Sequence, residues 1–375
     1  MKTDVYIAGD CVFSPLGIGS HLNFERLIDG ESALVPIKNP DLSDHQLHAA
    51  RIDDAQWKGK IRNSPYYTRL ESLFIRTIEA LLQAHSIPPD ERTLVLLSTT
   101  KGNISLLHSP HTSFHGDRVY LPEMGKQIQN YFGFSHRPLV ISNACISGAL
   151  ALAVARQLLQ YNDGYDHAIV VGGDELSRFI VSGFEAFQAL SNERCRPFDR
   201  DRNGLNLGEA IAAAYLTKKP ADGAVRILSS ASFNDANHIS GPSRTGEGLY
   251  RSIREALRLA GNPPIDFISA HGTATVYNDE MEAIALDRCG LSEVPIHSLK
   301  AYYGHTLGAS GLLESVLGIH SLRANRLIPS LGFEHPGTTR PLRPIATPVE
   351  RPLRTFLKTA SGFGGCNIAL IFEKV

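Results

Sequence analysis

No stretch of the 375 residues approaches the roughly 20 consecutive apolar positions that a membrane-spanning helix requires. The opening MKTDVYIAGD passes at once into a strand-like run, so neither a signal peptide nor a transmembrane segment is expected. The cysteines, Cys11, Cys145, Cys195, Cys289 and Cys366, are odd in number, scattered and free of CxxC spacing. They read as reduced thiols. Net charge is also nearly absent: 37 Lys and Arg against 38 Asp and Glu leave −1, and no global field exists for gripping nucleic acid. No low-complexity tract or long linker divides the chain. What remains is a cytoplasmic globular protein, 43% hydrophobic and 20% charged, long enough for two domains or one duplicated one.

Short apolar, β-branched runs alternate with helical patterns. The strand-like runs are VYIAG near Val5, TLVLLST from Thr93, PLVIS from Pro138, HAIVVGG from His167, VRILSSAS from Val225, DFISA from Asp266 and NIALIF from Asn367. Helical periodicity covers residues 69–84, 148–160 and 246–259. This alternation predicts an α/β protein with buried sheets. CISGALALAVARQLL from Cys145 and HTLGASGLLESVLGI from His305 each set a reactive side chain three residues before a glycine, then continue as a small-residue-rich apolar helix. The echo predicts a duplication, with halves spanning residues 1–224 and 225–375 that aim their chemistry at one cleft.

Cys145 lies between the strand PLVIS and a helix starting near Ser147. A thiol in such a turn meets the positive end of the helix dipole, and its backbone N–H is free to face an oxyanion. A lone cysteine is equally a good core residue. His271 ends the strand DFISA and opens HGTATVYNDEMEA, while His305 follows Lys300 by five residues in SLKAYYGHTLGASG. Either histidine, taken singly, fits a structural role as well as a cleft. Asp279, Glu280 and Glu282 fit a solvated first helical turn. The functional alternative has Glu282 facing inward, paired with Lys300 or steadying the histidines.

Taken in order, SNACISGALAL, RPFDRDRNGLNLGEA, HGTATVYNDEMEA, SLKAYYGHTLGASG and SGFGGCN resemble the β-ketoacyl-acyl-carrier-protein synthases of the elongating type, over nearly the whole chain. The resemblance implies a thiolase-like duplicated α/β fold, a five-layered αβαβα sandwich, usually dimeric. It implies Cys145 as the acylated nucleophile, His271 and His305 as the decarboxylating pair, and Lys300 and Glu282 as their support. Phe363 would share the oxyanion hole through its N–H and gate the acyl pocket with its ring. It also implies acyl carrier protein as partner, in acyl and malonyl forms, and no cofactor or metal. Neither nucleic acid nor membrane is an expected partner. SGFEAFQALS and NLGEA add a fainter likeness to synthases of aryl polyene or flexirubin-type pigment clusters.

Some positions depart from the pattern. Ile146 stands where a smaller residue is expected and would narrow the acyl channel, and residues 101–122 look trimmed. His108, His111 and His115 raise a metal site that their polar loop disfavours. A thiolase would carry a second catalytic cysteine, a role the small residue Cys366 does not fit, and an initiating synthase would carry asparagine for one histidine. The remaining alternative is a chain-length-factor subunit, partner of a second ketosynthase-like chain in a heterodimer. Arg69, at the start of RLESLFIRTIEALL, is the first candidate for a carrier-docking cation, with a solvated helix-start arginine as the alternative.

Overall fold

Strands that are apolar on both faces need cover on both sides. The computed structural model, which describes residues 3–60, 62, 64–108, 113–220 and 222–375, supplies that cover within a 12-stranded sheet. One arm of the sheet runs in the order Leu139–Ile141, Thr93–Ser98, His167–Asp174, Ala210–Thr217, Tyr6–Ser14. The other runs Pro295–His297, Phe267–Ser269, Thr355–Gly362, Cys366–Lys374, Val225–Asn234. Numbered along the chain within its own arm, each order is 3-2-4-5-1. In both arms the first two pairings are parallel and the last two antiparallel. The arms join through their first strands, with Tyr6 opposite Arg226 and Ile7 opposite Val225.

Strand alternation sorts the core into three apolar layers. Leu94, Leu96, Ala168 and Val170 face a central cluster shared with Phe356, Ile368, Leu370 and Phe372 of the other arm. Their neighbours Val95, Leu97, Ile169 and Val171 face an outer cluster under the helix Arg69–Ala84. On the far side Ile268, Leu357, Ala369 and Ile371 pack beneath the helices Glu247–Leu259 and Val276–Arg288. The helices Ser147–Tyr161 and Ser310–Ala324 fill the central layer. Helix, sheet, helix, sheet, helix is the five-layered αβαβα sandwich implied by the motifs.

The two central helices touch because their facing positions are small. A Cβ on Gly148 would lie 2.8 Å from the Gly308 carbonyl oxygen and the Leu312 nitrogen, and one on Gly311 would lie 2.7 Å from Ala149. Any side chain there would push the two halves apart. Three strands of the two arms escaped the sequence pattern, the short Pro295–His297 and two longer ones. Ala210–Thr217 is alanine-rich because Ala212 and Ala214 face the crowded central layer, and Thr355–Gly362 carries Lys358 and polar residues within a fully buried run. Small or polar strand residues give weak β-signals. Among the described residues no helix is long and apolar enough to cross a membrane.

Candidate active site

Cys145 sits in the turn between the strand Leu139–Ile141 and the helix Ser147–Tyr161. Ala144 takes a left-handed φ of 45°, and the Ser147 hydroxyl secures the turn by accepting from Asn143 N (2.8 Å) and donating to Ala144 O (2.6 Å). The thiol is 7% exposed. Burial pushes it up to about 12, with Cys366 adding to the rise and Lys300 opposing it. The rise from 9.0 to about 12 is worth about 4 kcal/mol, whereas a helix N-terminus returns roughly 0.3–1 kcal/mol. Desolvation therefore outweighs the dipole, and Cys145 rests as a thiol rather than the thiolate that a helix end alone would favour. Ile146, the next residue, is fully buried in the central core and forms no part of the cavity wall.

The strand Phe267–Ser269 delivers His271 to the same place. Glu282 holds the backbone there: its carboxylate accepts from His271 N (2.9 Å), Gly272 N (2.8 Å) and the Thr359 hydroxyl (2.6 Å). Of the two partners expected for Glu282, the structure chooses the histidine. Lys300 instead pairs with Glu314, which sits on the central helix and also meets Lys358, 2.8 Å away. Glu314 and Lys358 were missed. Each had a signal in the sequence, as the lone charge in an apolar run of a helix and of a strand. Asp279 also departs from the solvated reading. It is buried, accepts from Phe198 N (2.7 Å) and Ala274 N (3.2 Å), and is raised to about 6 by desolvation.

His305 is set by both halves of the chain. Its N–H donates to Asn206 O (2.7 Å) and its carbonyl accepts from Gly208 N (3.1 Å). The approach is so close that a Cβ on Gly208 would lie 1.7 Å from Tyr303 O, which accounts for the glycine of NLGEA. The ring Nδ1 accepts from Leu307 N (3.3 Å) and contacts the Ser310 hydroxyl (2.9 Å). An acceptor Nδ1 puts the proton on Nε2. The His271 and His305 rings meet edge-on, centroids 5.3 Å apart. Burial first, then the Lys300 ammonium, holds both well below 6.5, so both rings are neutral at physiological pH.

Cys145, His271 and His305 all line one cavity of about 460 Å³. Phe363 lines it too, in the turn joining the last two strands. A Cβ on Gly362 would lie 3.0 Å from Cys145 N, so the two backbones run side by side at Cys145. The Phe363 ring is 37% exposed and packs on Phe184 and Phe187, with centroids 5.7 and 5.2 Å apart. Cys366 is buried with its thiol toward Phe363 O (3.4 Å) and is pushed up to about 11 by burial.

Arg69 is a correction. Its guanidinium bonds Glu209 through both nitrogens (2.8 Å each), Asp54 (3.1 Å), Glu175 (3.4 Å) and Ile52 O (2.8 Å), which leaves it no free face for a carrier protein. RPFDRDRNG is a hydrogen-bonded turn in which Asp199 accepts from Asp201, Glu334 and His335 nitrogens. Of the histidine triplet, His111 lies outside the described residues. Among the described residues no group of three or more His, Cys, Asp or Glu is placed to hold a metal.

Comparison with known proteins bears on the family and the fold. The N-terminal domain model of the β-ketoacyl synthases matches residues 2–221 and the C-terminal domain model residues 224–334. The chain belongs to the β-ketoacyl synthase family. It is 27% identical to 3-oxoacyl-acyl-carrier-protein synthase 2 of Vibrio cholerae, over 100% of both chains. Among solved structures, a β-ketoacyl synthase from Burkholderia phymatum superposes with a TM-score of 0.88 at 26% identity, covering 100% of both chains. The complex of a ketosynthase with its chain length factor from Xenorhabdus doucetiae gives 0.84 at 25% identity, over 100% of this chain and 98% of the other.

Proposed function

We propose that this protein is an acyltransferase that elongates an acyl chain by decarboxylative Claisen condensation with malonyl-acyl-carrier protein. The observation that carries the reading is the meeting of Cys145, His271 and His305 on one cavity. In the first step the Cys145 sulfur attacks the carbonyl of an acyl-carrier thioester. Its proton leaves with the carrier's thiol, so a resting thiol supplies what the leaving group needs. The N–H groups of Cys145 and Phe363 receive the oxyanion. In the second step malonyl-carrier protein loses carbon dioxide, and the electron pair of the broken C–C bond becomes an enolate. The Nε2–H of His305, with His271 opposite, stabilises its oxygen. The enolate carbon attacks the acyl-cysteine carbonyl, the C–S bond breaks with its electron pair going to the Cys145 sulfur, which takes a proton from solvent to return to the thiol, and the β-ketoacyl product stays on the carrier.

Lys300 places a buried ammonium behind both rings and favours the negative charge that develops between them. Glu282 fixes the His271 backbone. We read the boundary near residue 224 as the seam of a duplication, because the strand order repeats across it. The five unpaired thiols are consistent with a cytoplasmic setting.

Mass spectrometry of the intact protein, after incubation with a panel of acyl-carrier proteins, tests the reading. An acyl adduct on Cys145 and β-ketoacyl product on adding malonyl carrier are expected; no adduct with any carrier would end it. The second reading, a subunit of a heterodimer with another ketosynthase-like chain, draws on the likeness to the Xenorhabdus doucetiae complex. As a catalytically silent chain-length-factor subunit, the chain would carry no adduct on Cys145, and condensation would appear only when a second, catalytic ketosynthase chain is supplied.

A further inference from the structure

Among the buried charged groups that the mechanism leaves unused, one lysine lies close to the histidine pair. Lys358 is fully buried in the middle of the strand Thr355–Gly362. Its Nζ reaches Ser269 O (3.0 Å), Ala270 O (3.2 Å) and Thr359 O, and lies 2.8 Å from Glu314 Oε2. All four neighbours are acceptors. An amine lone pair would find no donor there, whereas an ammonium has a partner for every proton.

The placement matters because Ala270 immediately precedes His271. Lys358 takes up the carbonyls on the approach to the histidine, while Glu282, braced by the hydroxyl of the adjacent Thr359, takes up the N–H groups of His271 and Gly272. Consecutive strand residues point to opposite faces. Lys358 and Thr359 therefore clamp the end of the His271 strand from both sides. Lys358 also grips the carboxylate that holds Lys300.

We propose that Lys358 is a positioning residue for the decarboxylation step, fixing the His271 backbone and the Lys300 ammonium and adding a second buried positive charge beside the histidine pair. The inference rests on the condensing function proposed above. A charge so placed also opposes protonation of the rings, and Lys358 contributes to the lowering of both histidines. Neutrality matters most at His305, where a proton on Nδ1 would face the Leu307 N–H. The charged and titratable groups around the pair are Lys300, Lys358, Glu282 and Glu314, with Cys145 across the cavity, Asp174 bonded to Gly308 N, and His297 behind Lys358.

The test compares wild type with Lys358→Met and Lys358→Gln in two assays: acylation of Cys145 by an acyl-carrier protein, and decarboxylation of malonyl-carrier protein from about pH 5 to pH 9. Lys358→Met should lower the decarboxylation kcat by about tenfold or more, below the effect of losing a direct donor. Its KM should change little, acylation should stay within about twofold, and the acid limb of the pH profile should move to higher pH. Lys358→Gln, which keeps a donor for the carbonyls but no charge, should recover part of the rate and none of the pH shift. Unchanged rates and profiles in both variants would overturn the proposal. So would parallel loss of both activities, or a Lys358→Gln variant that cannot fold, since either outcome assigns the lysine to stability alone. A wild-type protein that neither acylates nor decarboxylates would sink the proposed function instead.

Discussion

Each half of the chain buries a charge cluster, and the two have opposite composition. In the first half one cation, Arg69, is surrounded by Glu209, Glu175 and Asp54. In the second half one carboxylate, Glu314, is shared by Lys300 and Lys358. The Arg69 cluster ties the start of the outer helix Arg69–Ala84 to Ile52 and to the Glu209 of NLGEA. The Glu314 cluster lies in the central layer behind His271 and His305. Excess positive charge is thus kept for the place where an enolate would form, and the acid-rich cluster stays with the scaffold. The equivalent turns divide the labour similarly. The turn after the third strand of the first arm carries Cys145, and its counterpart in the second arm carries His305.

Removing the nucleophile breaks the comparison most completely. Cys145→Ala should take condensation below detection with an unchanged circular dichroism spectrum, because one atom lost at a turn alters little packing. Cys145→Gln should retain malonyl decarboxylation, which belongs to the other half. A Cys145→Ala variant that condenses at the wild-type rate would remove Cys145 from the chemistry.

The histidines come next. His271→Ala and His305→Ala should each slow decarboxylation by about a hundredfold or more, the scale of a lost oxyanion donor, with Cys145 acylation affected far less. The opposite pattern, acylation abolished and decarboxylation intact, would assign both rings to the first step.

Arg69→Met probes the scaffold cluster. It leaves Glu175 and the fully buried Glu209 without their cation, while Asp54 keeps Lys58 at 2.7 Å, and should cost about 3 kcal/mol in urea unfolding. Activity per folded molecule should fall equally with carrier-bound and small thioester substrates. A loss confined to the carrier-bound substrate would restore Arg69 to a docking role.

The gentlest probe is the thiol itself. With Cys145 at about 12, its alkylation by iodoacetamide, followed by mass spectrometry, should rise about tenfold per pH unit from pH 6 to pH 9.5. A plateau near neutrality would mean that the helix end and Lys300 prevail over burial.

Particular residues show how far the chain is readable in one dimension. The helix Arg69–Ala84 announces itself through its apolar period. The strand Thr355–Gly362 does not, because Lys358 interrupts it, and a charge in a buried run makes sense only beside Glu314 and the carbonyls of another strand. Arg69 looked like an exposed cation for the same reason. Its partners stand 15, 106 and 140 positions away.

The linear chain already carries the α/β alternation, the repeated turn-and-helix with Cys145 and His305, and the motifs that mark the family. These depend on local propensity and on residue types at short spacing, which a linear string preserves. The folded chain alone shows that Cys145 rests as a thiol, that Glu282 holds backbone while Glu314 holds Lys300, that His305 keeps its proton on Nε2, and that Lys358 stands behind His271. Each depends on desolvation or on contacts between distant segments, and burial acts on a group through everything packed around it.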